Sequence, residues 1–247
     1  MRAAALNGRL AGPALLAGLI GLAVAAALAV RPAWIGELAT YGPDLRALTA
    51  GHLLLVGISA GLAIATGLPL GILLSRPGAA RLAEPVMQVL NVGATVPTLA
   101  VLALSMSVLG IGLLPALLTL WLATLLPIVR NTYAGLRGVP APLLDAADGM
   151  GMTAAGRLRR VELPNAAPVI FAGLRTAVTV NIGAAPLASL IGAGGFGDLI
   201  FAGIQLYDPV MMLAGALATA ALALATDGFL AALQRASTPR GLRLRGA

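Results

Sequence analysis

Residues 145–164 read DAADGMGMTAAGRLRRVELP, the most charged stretch of a chain that otherwise avoids charge. Three acids and three arginines fall within it, and runs of uncharged residues lie on both sides. The charged residues are Asp145, Asp148, Glu162, Arg157, Arg159 and Arg160. Because charge is so rare elsewhere, we expect this segment to contact something that the rest of the chain does not.

The composition of the whole chain indicates a membrane protein. Of its 247 residues, 59% are hydrophobic and only 10% are charged, whereas soluble domains carry about 25% charged residues. The mean hydropathy is +0.96, and the apolar residues form long runs. Inside lipid, each backbone polar group must be satisfied within its own segment, so such runs indicate helices. We predict an all-α, polytopic membrane protein.

The apolar runs predict about six spans, because a helix needs about 20 apolar residues to cross the hydrocarbon core. They cover roughly residues 10–30, 49–74, 86–109, 113–131, 168–191 and 209–233. The first could instead be a cleaved secretory signal, with an A-x-A site at residues 27–29. We divide the chain into an N-terminal segment with the first span and an outer loop (1–47), a core (48–234) and a basic tail (235–247).

All sixteen basic residues are arginine, and they occupy the short connectors between spans. With the N-terminus in the cytoplasm, only Arg31 and Arg46 lie outside, while Arg175 falls within the start of the fifth span. Excess positive charge marks cytoplasmic loops, so this orientation is predicted. The arginines on the inner side are Arg2, Arg9, Arg76, Arg81, Arg130, Arg137, Arg157, Arg159, Arg160, Arg235, Arg240, Arg243 and Arg245. Because no single solvated face collects them, a nucleic-acid partner is not indicated.

Several kinds of site are excluded by residue type. The chain has no cysteine and a single histidine, His52, so a metal centre built from Cys and His is not expected. It also has no lysine, and a nucleotide-binding P-loop needs one. The GAGGFG string at residues 192–197 resembles a dinucleotide fingerprint, but it follows a predicted span, so we interpret it as a turn or a broken helix.

Few acids lie deep in the predicted spans. We interpret Asp227 and Glu84 as boundary residues and His52 as an interfacial one. Glycines spaced by four, at 57 and 61 and at 67 and 71, would allow close helix packing, although chance in a glycine-rich chain explains any single pair equally well.

The charged stretch predicts two short helices in the cytoplasm. Pro140 and Pro142 suit a helix start, and Asp145 and Asp148 would then lie in or near the first turn, at the favourable end of the helix dipole.

The remaining residues of the stretch predict how the two helices end. Gly149 and Gly151 suit a break, and Thr153 can cap the second helix. Pro164 would end that helix. Ala146 and Ala147 would offer a small surface for close approach.

The spacing of this stretch resembles the EAA loop of ABC-importer permeases, whose pattern is E-A-A-x3-G-x9-I-x-L-P. Asp replaces Glu and Val replaces Ile, and the other five positions match without a gap. The corresponding residues are Asp145, Ala146, Ala147, Gly151, Val161, Leu163 and Pro164. The resemblance implies that residues 140–165 form a coupling loop that docks on a separate ATPase subunit, which binds ATP and Mg²⁺. No cofactor is then expected in this chain.

Other segments are similar to permeases of osmoprotectant importers, which carry glycine betaine, choline, carnitine or related solutes. They read LPLGI (68–72), VPTLA (96–100), GIGLLPA (110–116), LPIVRNTY (126–133), VNIG (180–183) and LIGAGG (190–195). The resemblance implies a type I importer fold in a bacterial plasma (inner) membrane. It also implies three kinds of protein partner: ATPase subunits, a second identical or related permease, and an extracytoplasmic solute-binding protein.

Alternatives stay open at this point. A permease for methionine or an alkyl sulfonate would carry the same loop, and a secondary transporter or a membrane enzyme would need ionisable residues that the spans lack. Four polar or helix-breaking residues are candidates for the substrate pathway, although packing explains each of them equally well: Thr95, Pro97, Thr179 and Asn181.

Overall fold

The computed structural model of the chain describes residues 33–237, and these form helices without any β-strand. The all-α prediction is therefore confirmed over this range. The predicted first span at 10–30, its alternative reading as a cleaved signal, and the tail beyond residue 237 lie outside the described residues.

Ten α-helices follow one another along the described chain. They are α1 (Ala33–Thr40), α2 (Gly42–Leu74), α3 (Ala80–Thr95), α4 (Thr98–Leu109), α5 (Leu113–Arg137), α6 (Ala141–Gly149), α7 (Ala154–Arg157), α8 (Leu163–Ala184), α9 (Gly197–Gln205) and α10 (Pro209–Ser237). Two 3₁₀ segments, Pro77–Ala79 and Ala185–Ile191, and one π-helical segment, Leu158–Glu162, complete the order.

Four helices within residues 33–237 are long and apolar enough to cross a membrane. They are Gly42–Leu74, Leu113–Arg137, Ala154–Ile191 and Pro209–Ala236. They match the predicted spans at 49–74, 113–131, 168–191 and 209–233.

The predicted third span, 86–109, is not one straight helix. Its two halves, Pro77–Thr95 and Thr98–Leu109, meet at an angle of 96°. Pro97 has no N–H to continue the helix, and it pushes the preceding residue into an extended conformation. Val96 adopts φ −72° and ψ 125° accordingly. Besides the four long helices, the described chain thus has one bent pair of apolar helices. The bend was not predicted, because the apolar run in the sequence is continuous.

Helix α5 packs closely against both α2 and α8, at points where glycine leaves room. A Cβ on Gly71 would lie 2.6 Å from Cβ of Thr132, and one on Gly173 would lie 2.4 Å from Cβ of Asn131. Gly67 is similarly close to Ile128, at 2.9 Å. The pair at 67 and 71 therefore marks a tight helix contact, whereas Cβ atoms at 57 and 61 would meet nothing within 4 Å.

Candidate functional site

The charged segment contains the first predicted short helix, and its second helix, α7, is the start of a longer one. Helix α6 begins after Pro140 and ends at Gly149. Gly151 has φ +72°, a conformation that favours glycine. The Thr153 hydroxyl accepts a hydrogen bond from the N–H of Gly156 at 3.2 Å, so the predicted N-cap of α7 is confirmed.

Two local predictions were wrong. Asp145 directly follows the first turn of α6, which contains no acid, but Asp148 lies in the last turn and not near the favourable end of the helix dipole. Pro164 does not end the second helix, because it sits in the first turn of α8, where a proline is tolerated. The π-helical segment Leu158–Glu162 joins α7 to α8, so the segment continues into the span Ala154–Ile191 as one helix.

Three of the six charged residues of the segment belong to a cluster around one buried carboxylate. Glu162 is only 3% exposed. Its Oε1 accepts from Nε of Arg157 at 3.0 Å, and its Oε2 accepts from Nη2 of Arg76 at 2.5 Å. Arg157 also reaches both carboxylate oxygens of Asp148, at 2.8 and 2.6 Å. Because Arg76 follows the end of α2, the cluster ties the loop to a second span.

Apolar contacts hold the same segment against the end of the bundle. Leu144, Leu158 and Leu163 pack on a buried cluster that includes Leu136 and Ala166. The segment is therefore fixed by both charge and packing, and it is not a free solvated loop.

The seven residues of the motif differ in exposure. Ala147 is fully buried, so only Ala146 offers the small exposed surface that we expected of both alanines. Asp145, Ala146 and Gly151 are exposed, while Val161, Leu163 and Pro164 are half-buried. The three exposed residues lie close together in the sequence, so a partner protein can reach this part of the motif.

The glycine string at residues 192–197 forms a turn between the 3₁₀ segment and α9. Gly192, Gly194 and Gly195 have φ values of +73°, +76° and +97°, so the interpretation as a turn is confirmed. The turn packs on His52, whose ring stacks on Phe196 with centroids 4.5 Å apart. The Phe196 N–H donates to Nδ1 of His52 at 3.3 Å. His52 is fully buried among these elements.

The four pathway candidates do not come together in one site. Thr95 and Pro97 are exposed at the bend between α3 and α4, near a mostly apolar cavity of about 410 Å³ between that pair and α5. Thr179 lines a separate cavity of about 490 Å³. Asn181 is fully buried, and its Nδ2 donates to the Ser59 hydroxyl at 2.9 Å, which joins α8 to α2.

Sequence reasoning missed an ion pair between two spans. Arg175 of α8 donates from Nε and Nη2 to the two carboxylate oxygens of Asp227 in α10, at 2.8 and 2.7 Å. We interpreted Asp227 as a boundary residue, and its pairing with Arg175 was not predicted. The available signal was that one unassigned arginine and one acid both fall in otherwise apolar spans.

Residues 67–238 match the profile of a protein family described as "Binding-protein-dependent transport system inner membrane component". The chain belongs to this family of permeases. It is therefore a transporter subunit in the inner membrane and not an enzyme.

Curated relatives of this permease are named as osmoprotectant permeases. The chain is 56% identical over 196 residues to the osmoprotectant import permease protein OsmY of Salmonella typhimurium, which covers 79% of this chain and 83% of that one. It is 43% identical over 206 residues to the choline transport system permease protein OpuBB of Bacillus subtilis, covering 83% and 94%.

Solved structures of ABC importers share the fold. The permease matches a chain of the methionine ABC transporter MetNI in an inward-facing conformation with a TM-score of 0.71 at 24% identity, covering 79% of this chain and 96% of that one. The fold is that of the type I ABC-importer permeases, as the sequence predicted.

Proposed function

We propose that this permease forms the transmembrane pathway of an ATP-driven importer for quaternary ammonium osmoprotectants. The names of its relatives, at 56% and 43% identity over most of the chain, support that substrate class. ATP and Mg²⁺ would be bound by a separate ATPase subunit, since this chain has no lysine for a phosphate-binding loop.

The observation that carries the mechanism is the exposed motif on a firmly anchored segment. Asp145, Ala146 and Gly151 face outward, while Glu162 ties the segment to Arg76 at the end of α2. An ATPase that binds this surface would move the segment as a body. The displacement would pass to the spans and switch access between the two sides of the membrane, with a second permease completing the pathway.

The arrangement of the charges supports a cytoplasmic position for the motif. Arg76 and Arg157 meet at Glu162, so the connector after α2 and the connector after α5 lie on the same face of the bundle. Arginine-rich connectors are typical of the cytoplasmic side. The N-terminus would then be cytoplasmic as well, provided that the segment 10–30 crosses the membrane.

Substrate choice would rest largely on an extracytoplasmic binding protein that delivers the solute. Quaternary ammonium groups are recognised by aromatic cages through cation–π attraction, and only 4% of this chain is aromatic. Methionine remains the second candidate, although the likeness to the methionine importer, at 24% identity, concerns the fold.

The proposal is tested by co-purifying the permease with its co-encoded partners and reconstituting them in liposomes. We expect ATP-dependent uptake of radiolabelled glycine betaine and solute-stimulated ATP hydrolysis. Gly151→Asp should abolish uptake, because it puts a charged side chain on a positive φ within the motif. Gly78→Asp is the matched control, since Gly78 is exposed on the connector after α2 and a Cβ there meets nothing within 4 Å.

Each of the other possible results of this experiment points to a different conclusion. Uptake without any ATPase would indicate a secondary transporter. ATP-dependent uptake of methionine but not of glycine betaine would favour the second candidate. Equal uptake by Gly151→Asp and Gly78→Asp would contradict the role of the motif.

A further inference from the structure

The ion pair between Arg175 and Asp227 is unusual in its placement. Both residues lie within spans, and their side chains are 33% and 36% exposed. Charged residues inside membrane spans almost always face the bundle interior or a water-filled cavity, and they often mark the path of a solute or an ion. A pair made only to hold two helices together would not need such exposure.

The pair lines a cavity between α8 and α10. The cavity is wide open on one side, and its volume of about 490 Å³ falls within the range of about 300–1,000 Å³ that is typical of small-molecule sites. Thr176 and Thr179 add hydroxyl groups to its wall, and the rest of the lining is aliphatic. Two opposite charges, two hydroxyls and an apolar wall suit a small solute that carries both charges and methyl groups.

We propose that Arg175 and Asp227 form a transient solute-binding site in the cavity between α8 and α10, at which a zwitterion exchanges partners with the pair. The solute carboxylate binds the guanidinium of Arg175, and its quaternary ammonium group lies against the carboxylate of Asp227. This inference rests on the proposed function, because it takes the importer's solutes as its ligands.

The exchange is balanced in charge. Before the solute arrives, each side chain neutralises the other, and afterwards each faces an opposite charge of the solute. The planar fork of Arg175 suits a carboxylate, to which it can donate two parallel hydrogen bonds. Because no charge is left unpaired in the spans at either stage, the site can bind and release without a large cost.

A cation without a carboxylate meets a different situation at this site. It can approach Asp227 only by leaving Arg175 unpaired, so the native pair opposes its binding. Neutralising Arg175 removes this competition. The site therefore predicts opposite effects on two solutes: Arg175→Gln should lower transport of glycine betaine and leave transport of choline unchanged or higher.

The test compares uptake of glycine betaine and choline by the reconstituted complex. We expect Arg175→Gln to lower kcat/KM for glycine betaine about tenfold, the size of one charged hydrogen-bonded contact, and not for choline. Asp227→Asn should lower both. The double variant Arg175→Gln/Asp227→Asn keeps a hydrogen-bonding pair of similar shape, so a purely structural pair would leave its uptake normal.

Arg235→Gln provides the matched control, since Arg235 is exposed near the end of the same helix and does not line the cavity. Normal glycine betaine uptake by the double variant, or an equal loss for both solutes in Arg175→Gln, overturns the inference and leaves the proposed function standing. A wild-type complex that takes up neither solute overturns both.

A second measurement does not depend on how the charge variants fold. The chain contains no cysteine, so Thr179→Cys places a single thiol in the cavity wall. We expect a water-soluble methanethiosulfonate to label it and glycine betaine to slow the labelling. Ala177→Cys is the control, since Ala177 is 1% exposed on the same helix. A thiol at 179 that is as unreactive as the one at 177, or whose labelling glycine betaine does not change, overturns the inference.

Discussion

Among the carboxylates that bind arginine in residues 33–237, Glu162 and Asp227 do so in opposite surroundings. Glu162 is 3% exposed and lies between Arg76 and Arg157 at one end of the bundle. Asp227 lies within a span, its side chain is 36% exposed, and it binds Arg175 alone beside a cavity. Glu162 is buried between two arginines, whereas Asp227 forms a single ion pair that is partly exposed.

The difference follows from the cost of burying charge. A buried carboxylate loses its water, so it needs several charge-assisted hydrogen bonds in return, and breaking such a buried cluster is costly. A partly exposed pair retains water on one side and is worth little to stability. Glu162 therefore suits a fixed joint, whereas Asp227 suits a contact that opens.

The largest effect is expected from Glu162→Ala. It leaves Arg76 and Arg157 facing each other and should lower the free energy of unfolding by about 3 kcal/mol. The joint between the loop and α2 would be lost as well, so we expect ATP hydrolysis to become uncoupled from uptake. Thermal unfolding in detergent and coupled assays on the purified complex measure both effects.

Glu84→Ala is the control for that experiment. Glu84 is exposed, and its side chain accepts only a long hydrogen bond from Gln88, at 3.4 Å. If both variants were equally stable and equally coupled, the view of Glu162 as a fixed joint would be wrong.

The open pair should contribute far less to stability. We expect Arg175→Gln/Asp227→Asn to change the free energy of unfolding by less than about 1 kcal/mol, while it lowers glycine betaine uptake. Denaturation of the two proteins in the same detergent gives the difference. A loss as large as that of Glu162→Ala would remove the contrast between the two carboxylates.

Much of this architecture is readable from the sequence, because long apolar runs and motif spacing report local structure. The four long spans, the Thr153 cap and the turn at 192–197 follow from such local rules. The Arg76–Glu162 and Arg175–Asp227 pairs do not, since their partners lie 86 and 52 residues apart. In the motif, position 162 is variable, so nothing in the pattern distinguishes Glu162 before the helices are packed.

Asp208 sharpens the comparison because its side chain forms no ion pair with any arginine of residues 33–237. Asp208 accepts a hydrogen bond from the hydroxyl of Tyr41 at 2.6 Å, and from the N–H groups of Val210 and Met211 at 2.9 Å each. The bond from Tyr41 is the main cause that lowers the pKa of Asp208. The same bond is the main cause that raises the pKa of Tyr41 from 10.0 to about 12.

These shifts set the pH dependence of that contact. The folded state favours the protonated form of Tyr41, because its pKa is higher there than in the unfolded chain. The resulting contribution to the free energy of unfolding is complete below pH 10 and is lost as the pH rises towards 12. The ionised form of Asp208 stabilises the fold at pH values above 3.8, its ordinary pKa. This stabilisation is lost as the pH falls through the lowered pKa of the folded state. Thermal unfolding of wild type and Tyr41→Phe should therefore differ at pH 7 and converge by pH 12. A constant difference would contradict this linkage.

The smallest effect is expected at the edge of the Glu162 cluster. The side chain of Asp148 is 53% exposed, so water replaces its contact with Arg157 at little cost. Asp148→Asn should change the free energy of unfolding by less than about 0.5 kcal/mol and leave coupled uptake intact. Chemical denaturation checks the first value. A loss comparable to that of Glu162→Ala would mean that the cluster acts as one unit.

The continuous helix Ala154–Ile191 has a mechanical consequence. Its 38 residues extend for about 57 Å at 1.5 Å per residue, nearly twice the roughly 30 Å of a hydrocarbon core. It crosses α5 where Gly173 meets Asn131. A rod of this length that rocks about a close crossing acts as a lever: force applied at the end near Thr153 moves the opposite end, which leads into the turn at residues 192–197, in the reverse direction.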